Sequence, residues 1–81
     1  MTRDEIHTSL AGYLTEMFEV APENITAEAR LYEDLDLDSI DAVDLVVKLQ
    51  DLTGRKIKPE QFKTVRTVGD VVDSVYELFN E

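Results

Sequence analysis

The chain has 81 residues, 18 acidic and 8 basic, with a formal net charge of −10. This length fits one small domain, and a hydrophobic content of 43% is enough for a core and excludes wholesale disorder. The lack of cysteine excludes a disulfide scaffold, a catalytic cysteine and a thiolate metal site. No apolar run approaches the ~20 residues that span a bilayer, and no secretory segment is evident, so we expect a cytoplasmic protein.

The charge pattern bears on the partners of the chain. A protein this acidic repels nucleic acid and anionic membranes, so we expect no nucleic-acid partner, no membrane insertion, a monomer, and basic protein surfaces as partners. Solubility alone is the other interpretation of the charge. The charges are segregated, however, which favours recognition. Acids dominate one segment, Glu33, Asp34, Asp36, Asp38, Asp41, Asp44 and Asp51, and bases the next, Arg55, Lys56, Lys58, Lys63 and Arg66.

The first predicted element is a helix over residues 3–18. Thr2 and Glu5 form a capping-box pattern ahead of an apolar stripe with helical spacing. The stripe consists of Ile6, Leu10, Tyr13, Leu14, Met17 and Phe18. Residues 19–38 show no sustained period, and a connection this long in a small domain must be functional or pinned to the core. We expect its apolar residues to anchor it: Val20, Ile25, Leu31, Tyr32, Leu35 and Leu37.

Three further helices are predicted after this loop. One runs over residues 39–52, with Asp38 as N-cap and Gly54 at its end. Pro59 begins a short third helix that reaches about Lys63. Thr67 caps the last helix, whose apolar positions are Val68, Val71, Val72, Val75, Leu78 and Phe79. The predicted fold class is all-α: a small four-helix bundle with a long loop between helices one and two, in a single domain over residues 1–81.

The second predicted helix has two apolar faces. At 100° per residue, one face carries Ala42, Leu45, Val46, Leu49 and Leu52, which suits a core. The opposite face carries Ile40, Val43 and Val47 interleaved with Asp44 and Asp51. Because a core does not accept unpaired carboxylates, this second face is predicted to be exposed and to bind a partner. The alternative is that both faces are buried in the bundle.

Ser39 lies in the first turn of that helix. Unpaired backbone N–H groups and the helix dipole make this a suitable place for a phosphate ester. Ser39 is not a plausible nucleophile, because the only histidine, His7, falls on another helix, where we expect it to be a partly buried packing residue. From spacing alone, a serine between two aspartates is more often a capping residue than a modified one.

A calcium-loop interpretation of the acidic segment fails. Asp34, Asp36 and Asp38 have the spacing of the first ligands of such a loop. The position that requires glycine holds Ser39, however, and the twelfth position holds Leu45 instead of glutamate. We therefore predict no metal site and no catalytic residues.

The run from Leu35 to Leu45, LDLDSIDAVDL, resembles the attachment motif of acyl carrier proteins, and the similarity extends over essentially the whole chain. The resemblance implies a non-catalytic carrier in fatty-acid or polyketide-type biosynthesis, with Ser39 esterified by 4′-phosphopantetheine from coenzyme A and acyl chains carried as thioesters. It implies phosphopantetheinyl transferase and acyl-transferring and ketosynthase-type enzymes with basic docking surfaces as partners. The family's docking positions correspond to Asp38, Ile40, Asp41, Val43, Asp44 and Val47, and Asp51 is predicted to bind partners because it lies on the same exposed face.

The chain departs from the family pattern at Asp36, where glycine is usual. Aspartate tolerates unusual backbone angles better than most residues, so we expect the turn to survive. Two other functions are compatible with the motif around Ser39. One is an aminoacyl or peptidyl carrier, against which Asp41 and the charge of −10 argue. The other is an unmodified acidic helical interaction module in which Ser39 is only a cap.

Overall fold

The computed structural model describes residues 2–57 and 64–79. Over these ranges the chain forms three α-helices, α1 (Arg3–Phe18), α2 (Ser39–Thr53) and α3 (Val68–Phe79), with a 3₁₀ turn at Pro22–Asn24, and it contains no β-strand. The all-helical class and the three long helices are therefore as predicted. The short helix predicted between Pro59 and Lys63 lies outside the described residues. None of the described helices has the length and apolar character needed to cross a membrane.

Side-chain caps explain where α1 and α3 begin. In α1, the Thr2 hydroxyl accepts the Glu5 N–H at 3.2 Å while the Glu5 carboxylate accepts the Thr2 N–H at 2.9 Å. Thr67 and Asp70 form the same reciprocal pair at the start of α3, both at 3.2 Å. Hydrogen bonds from the N–H groups of Arg66 and Thr67 lower the pKa of Asp70. The predicted caps at Thr2 and Thr67 are confirmed.

The core lies where the three helices meet, since α1 contacts both α2 and α3. Its fully buried side chains come from every helix: Ile6, Leu10, Leu14, Leu45, Leu49, Val68, Val71 and Val75. Three of these are valines of α3, so tertiary burial outweighs the low helix propensity of β-branched residues there. His7 is partly buried on α1, as predicted.

The long connection between α1 and α2 is pinned by its own apolar residues. Five of the six predicted anchors are buried, Val20, Ile25, Leu31, Leu35 and Leu37, and Ala29 joins them. The sixth prediction was wrong, because Tyr32 is 48% exposed. It lies in a turn that directs Leu31 and Leu35 into the core and leaves the residue between them outside. Such anchoring keeps a loop of this length ordered.

Backbone hydrogen bonds fasten the same loop to the beginning of α3. Leu31 N–H donates to Arg66 O at 2.9 Å, and Val68 N–H donates to Ala29 O at 3.0 Å. Gly69 N–H donates to Ala27 O at 2.9 Å, and a Cβ at position 69 would meet that oxygen at 3.0 Å. Glycine therefore permits the close approach of loop and helix at this point.

Candidate functional site

Ser39 is the first residue of α2 and is exposed. The residue before it provides the cap: the Asp38 carboxylate accepts the Asp41 N–H at 2.9 Å, and the Asp41 carboxylate accepts the Asp38 N–H at 3.2 Å. No hydrogen bond of the Ser39 hydroxyl is found within residues 2–57 and 64–79. The predicted N-cap at Asp38 is therefore confirmed, and the alternative interpretation of Ser39 as the capping residue was wrong.

The start of α2 offers donors next to the Ser39 hydroxyl. The first intrahelical bond runs from Ala42 N–H to Asp38 O at 3.0 Å, so the N–H groups of Ser39 and Ile40 precede the helical hydrogen-bond ladder. These donors and the positive end of the helix dipole favour an anion. The position fits a phosphate ester on the Ser39 oxygen.

The turn that leads into α2 accommodates the departure at Asp36. Its φ is 57°, which is the left-handed region where glycine is usual and aspartate is among the better-tolerated alternatives. On either side, Leu35 and Leu37 are buried, and Leu37 N–H donates to Leu31 O at 3.1 Å. The turn therefore survives with aspartate, as predicted, because its neighbours hold it in place.

The outer face of α2, which consists of Ile40, Val43, Asp44, Val47 and Asp51, is exposed. Its three aliphatic side chains are 72%, 53% and 51% exposed in chain order. On the opposite side of the helix, Leu45, Val46 and Leu49 are buried in the core. The two-faced helix is thus confirmed, and the alternative in which both faces are buried was wrong.

The carboxylates near Ser39 differ in their hydrogen bonds and ion pairs. Those of Asp38 and Asp41 accept the capping hydrogen bonds, whereas those of Asp44 and Asp51 form no ion pair with any described residue. Lys48 is the one base on this helix, and its ammonium lies 5.8 Å from the centre of the Tyr13 ring. The outer face therefore keeps its negative charge and can attract a basic surface.

The loop contributes a further fixed carboxylate at Asp34. The Arg30 N–H donates to Asp34 Oδ2 at 2.8 Å, and this bond, with the Arg30 guanidinium, lowers the pKa of Asp34. Within the described ranges, no group of three or more histidine or carboxylate side chains has an arrangement that could hold a metal ion. The Asp34 carboxylate thus stabilises the turn that precedes Leu35 and Leu37.

An open cleft of about 490 Å³ lies beside the same turn. It combines the end of α1 with the loop and the first turn of α2, and its lining includes Phe18, Val20, Leu35, Leu37 and Asp41. Sequence patterns did not predict this cleft, because its walls come from segments that only the tertiary fold brings together.

Comparisons with known proteins agree with this geometry. The phosphopantetheine attachment site family matches residues 8–75. Acyl carrier protein 2 of Ralstonia nicotianae is 56% identical over 78 residues, which are 96% of each chain. The meromycolate extension acyl carrier protein of Mycobacterium leprae is 37% identical over 81 residues, covering 100% of this chain and 70% of that protein.

A solved structure supports the fold. The structure of an acyl carrier protein from Enterococcus faecalis matches with a TM-score of 0.78 at 30% identity, covering 95% of this chain and 98% of that one. Fold, family and relatives thus coincide. The chain belongs to the acyl carrier proteins, which are carriers rather than enzymes, bear covalently attached 4′-phosphopantetheine, and serve modifying and biosynthetic enzymes.

Proposed function

We propose that the 4′-phosphopantetheine arm is esterified to the Ser39 oxygen and that the chain carries acyl intermediates for fatty-acid or polyketide-type biosynthesis. Residues 1–81 then form a single acyl carrier domain in the cytoplasm. The observation that carries the proposal is the exposed Ser39 hydroxyl, free of the capping role, beside the leading N–H groups of α2. The arm supplies a thiol that holds each acyl group as a thioester.

The protein's own part in this function is to hold and present the arm. Asp38 and Asp41 fix the first turn of α2 through their reciprocal bonds, so Ser39 is attached to a rigid helix end. The buried Leu45 and Leu49 anchor that helix in the core. No side chain of the carrier needs to move a proton or attack a bond, because its enzymes supply the chemistry.

Partner binding is assigned to the outer face of α2 together with Asp38 and Asp41. The carboxylates of Asp44 and Asp51, which form no ion pair with a described residue, provide attraction for basic docking surfaces. The exposed Ile40, Val43 and Val47 provide apolar contact. Charge gives fast association, and a small apolar patch gives modest affinity. This combination suits a monomer that visits a phosphopantetheinyl transferase, acyl-transferring enzymes and ketosynthase-type enzymes in turn.

Acyl cargo is favoured over aminoacyl or peptidyl cargo. The relatives from Ralstonia nicotianae and Mycobacterium leprae are both named acyl carrier proteins. The acidic outer face of α2 agrees with that choice, and so does Asp41, which follows directly after Ile40. Mass spectrometry of the thioester on protein isolated from its host distinguishes the two cargoes.

Substitution of Ser39 tests the attachment site. Wild type, Ser39→Ala and the control Ser74→Ala are incubated with coenzyme A and a broad-specificity phosphopantetheinyl transferase, and intact mass is measured. We expect wild type and the control to gain the arm and Ser39→Ala to remain unmodified. Because Asp38 provides the cap, the unfolding free energy of Ser39→Ala should change by no more than about 0.5 kcal/mol. Loading of Ser39→Ala, or no loading of wild type, would overturn the proposal.

A further inference from the structure

One exposed hydrophobic residue is not explained by the proposed docking face. The large hydrophobic side chains exposed in the described part of the chain are Tyr32, Ile40, Val43 and Val47. Three of them lie on the outer face of α2, but Tyr32 lies in the loop before it. Its hydroxyl makes no hydrogen bond within residues 2–57 and 64–79. A tyrosine that is both exposed and unbonded is typical of a contact surface.

Tyr32 forms one wall of a cleft of about 380 Å³, here called the Tyr32 cleft, which is lined by Arg30, Tyr32, Glu33, Val65 and Arg66. The bond from Leu31 N–H to Arg66 O at 2.9 Å brings the two walls together. Val65 is buried and supplies an apolar lining. The cleft is therefore held by backbone contacts of the folded loop.

The two arginines of the Tyr32 cleft differ in their charge balance. The Arg30 guanidinium pairs with Glu33 and with Asp34. The Arg66 guanidinium forms no ion pair with a described residue. The Asp70 carboxylate accepts the Arg66 backbone N–H at 3.1 Å, and the Arg66 charge contributes to the lowered pKa of Asp70. The lining of the Tyr32 cleft thus includes an exposed arginine without an ion pair to a described residue and an exposed tyrosine.

We propose that the Tyr32 cleft is a second docking surface, which binds an aspartate or glutamate side chain of the partner enzyme; this rests on the proposed function of Ser39 and α2. The Arg66 guanidinium and the Tyr32 hydroxyl both donate, so a carboxylate satisfies them together. The tyrosine ring gives flat apolar contact for the stem of the acidic side chain. The partner is thus expected to place an acidic residue in the Tyr32 cleft and a basic surface against the outer face of α2.

The loop that carries Tyr32 leads directly to Ser39 along the chain. Leu37 N–H donates to Leu31 O at 3.1 Å. The backbone next to Tyr32 is therefore hydrogen-bonded to Leu37, which lies two residues before Ser39. In the proposed complex, the partner that encloses Ser39 contacts both surfaces. Two contacts of opposite sign fix the orientation of the carrier on its partner, because the reversed pose places like charges together.

The test uses cross-linking to a β-ketoacyl synthase from the same organism. Each carrier variant is loaded at Ser39 with a pantetheine analogue that reacts with the synthase nucleophile, and the rate of cross-link formation is measured at low and high salt. The variants are Arg66→Glu and Tyr32→Ala. Arg55→Glu is the matched control, since Arg55 is an exposed arginine at the other end of α2. Melting curves confirm that every variant is folded.

We expect Arg66→Glu to slow cross-linking about tenfold at low salt, with the loss fading at high salt. Tyr32→Ala should slow it at both salt concentrations, because its contact is partly apolar. Arg55→Glu should cross-link like wild type. Equal rates for Arg66→Glu, Arg55→Glu and wild type would overturn the docking surface.

Loading of the analogue at Ser39 distinguishes a failure of the Tyr32 docking surface from a failure of the proposed carrier function. If wild type accepts the analogue at Ser39 but Arg66→Glu reacts like the control, the carrier function stands and the Tyr32 cleft fails as a docking surface. If wild type is not loaded at all, the proposed function itself fails. Sedimentation velocity tests whether a second copy of the chain binds in the Tyr32 cleft instead. Wild-type dimers that are absent in Arg66→Glu would show this and would overturn the partner assignment.

Discussion

The two faces of α2 show how one short helix separates stability from recognition. The inner face places Leu45, Val46 and Leu49 in the core, with 2%, 6% and 0% exposure. The outer face leaves Val43 and Val47 more than half exposed and carries carboxylates without ion pairs among the described residues. The residue types are similar, so burial and not hydrophobicity distinguishes them. Substitutions on the two faces should therefore separate folding from partner binding.

The largest effect is expected at Leu49. Leu49→Ala should lower the unfolding free energy by roughly 2–5 kcal/mol, because it leaves a cavity in a fully buried position. A domain of this size has little stability to lose, so the variant could unfold at ambient temperature. Chemical denaturation followed by circular dichroism measures the loss. A change below about 1 kcal/mol would contradict the assignment of this face to the core.

Charge reversal on the outer face should act on binding and not on folding. Asp44→Lys should leave the melting temperature nearly unchanged and slow modification of Ser39 by the transferase about tenfold at low salt, because it removes attraction for a basic surface. The effect should fade as salt screens the charges. Initial rates at two salt concentrations measure it. Equal rates for Asp44→Lys and wild type at low salt would place the docking face elsewhere.

A smaller effect is expected in the turn before α2. Asp36→Gly should raise the unfolding free energy by about 0.5–1 kcal/mol, since glycine relieves the left-handed strain but loses more entropy on folding. Asp36→Ala is the matched control and should lower the unfolding free energy, because alanine is strained at positive φ. Thermal melts of both variants measure the difference. A glycine variant less stable than wild type would show that the Asp36 side chain itself supports the turn.

The smallest effect on stability is expected at Val47. Val47→Ala should change the unfolding free energy by no more than about 0.5 kcal/mol, whereas the adjacent Val46→Ala should cost about 1.5 kcal/mol or more. Val47→Ala should still slow the transferase, because apolar contact is lost. Paired melts and transferase assays on these two variants compare the faces at neighbouring positions. Equal destabilisation by both would contradict the two-faced helix.

Much of the architecture could be read from local patterns. The capping boxes of α1 and α3, the end of α2 at Gly54 and the burial of the α3 valines follow from spacing and turn chemistry within a few residues. The position of Ser39 at the start of a helix was equally local. The N-cap at Asp38 was also predicted locally, from an aspartate directly before the helix with Asp41 three residues on, and the structure confirms it.

The helices, the two faces of α2 and the motif around Ser39 could be predicted from residue patterns, because helical period and capping depend on near neighbours along the chain. The side-chain positions in the long loop depend instead on contacts between distant parts of the chain. Tyr32 and Leu31 are both apolar and adjacent, yet one is exposed and the other buried, since the bonds from the loop to α3 fix which way each side chain points. The same long-range bonds bring Tyr32 to Arg66, a pairing that no local pattern contains.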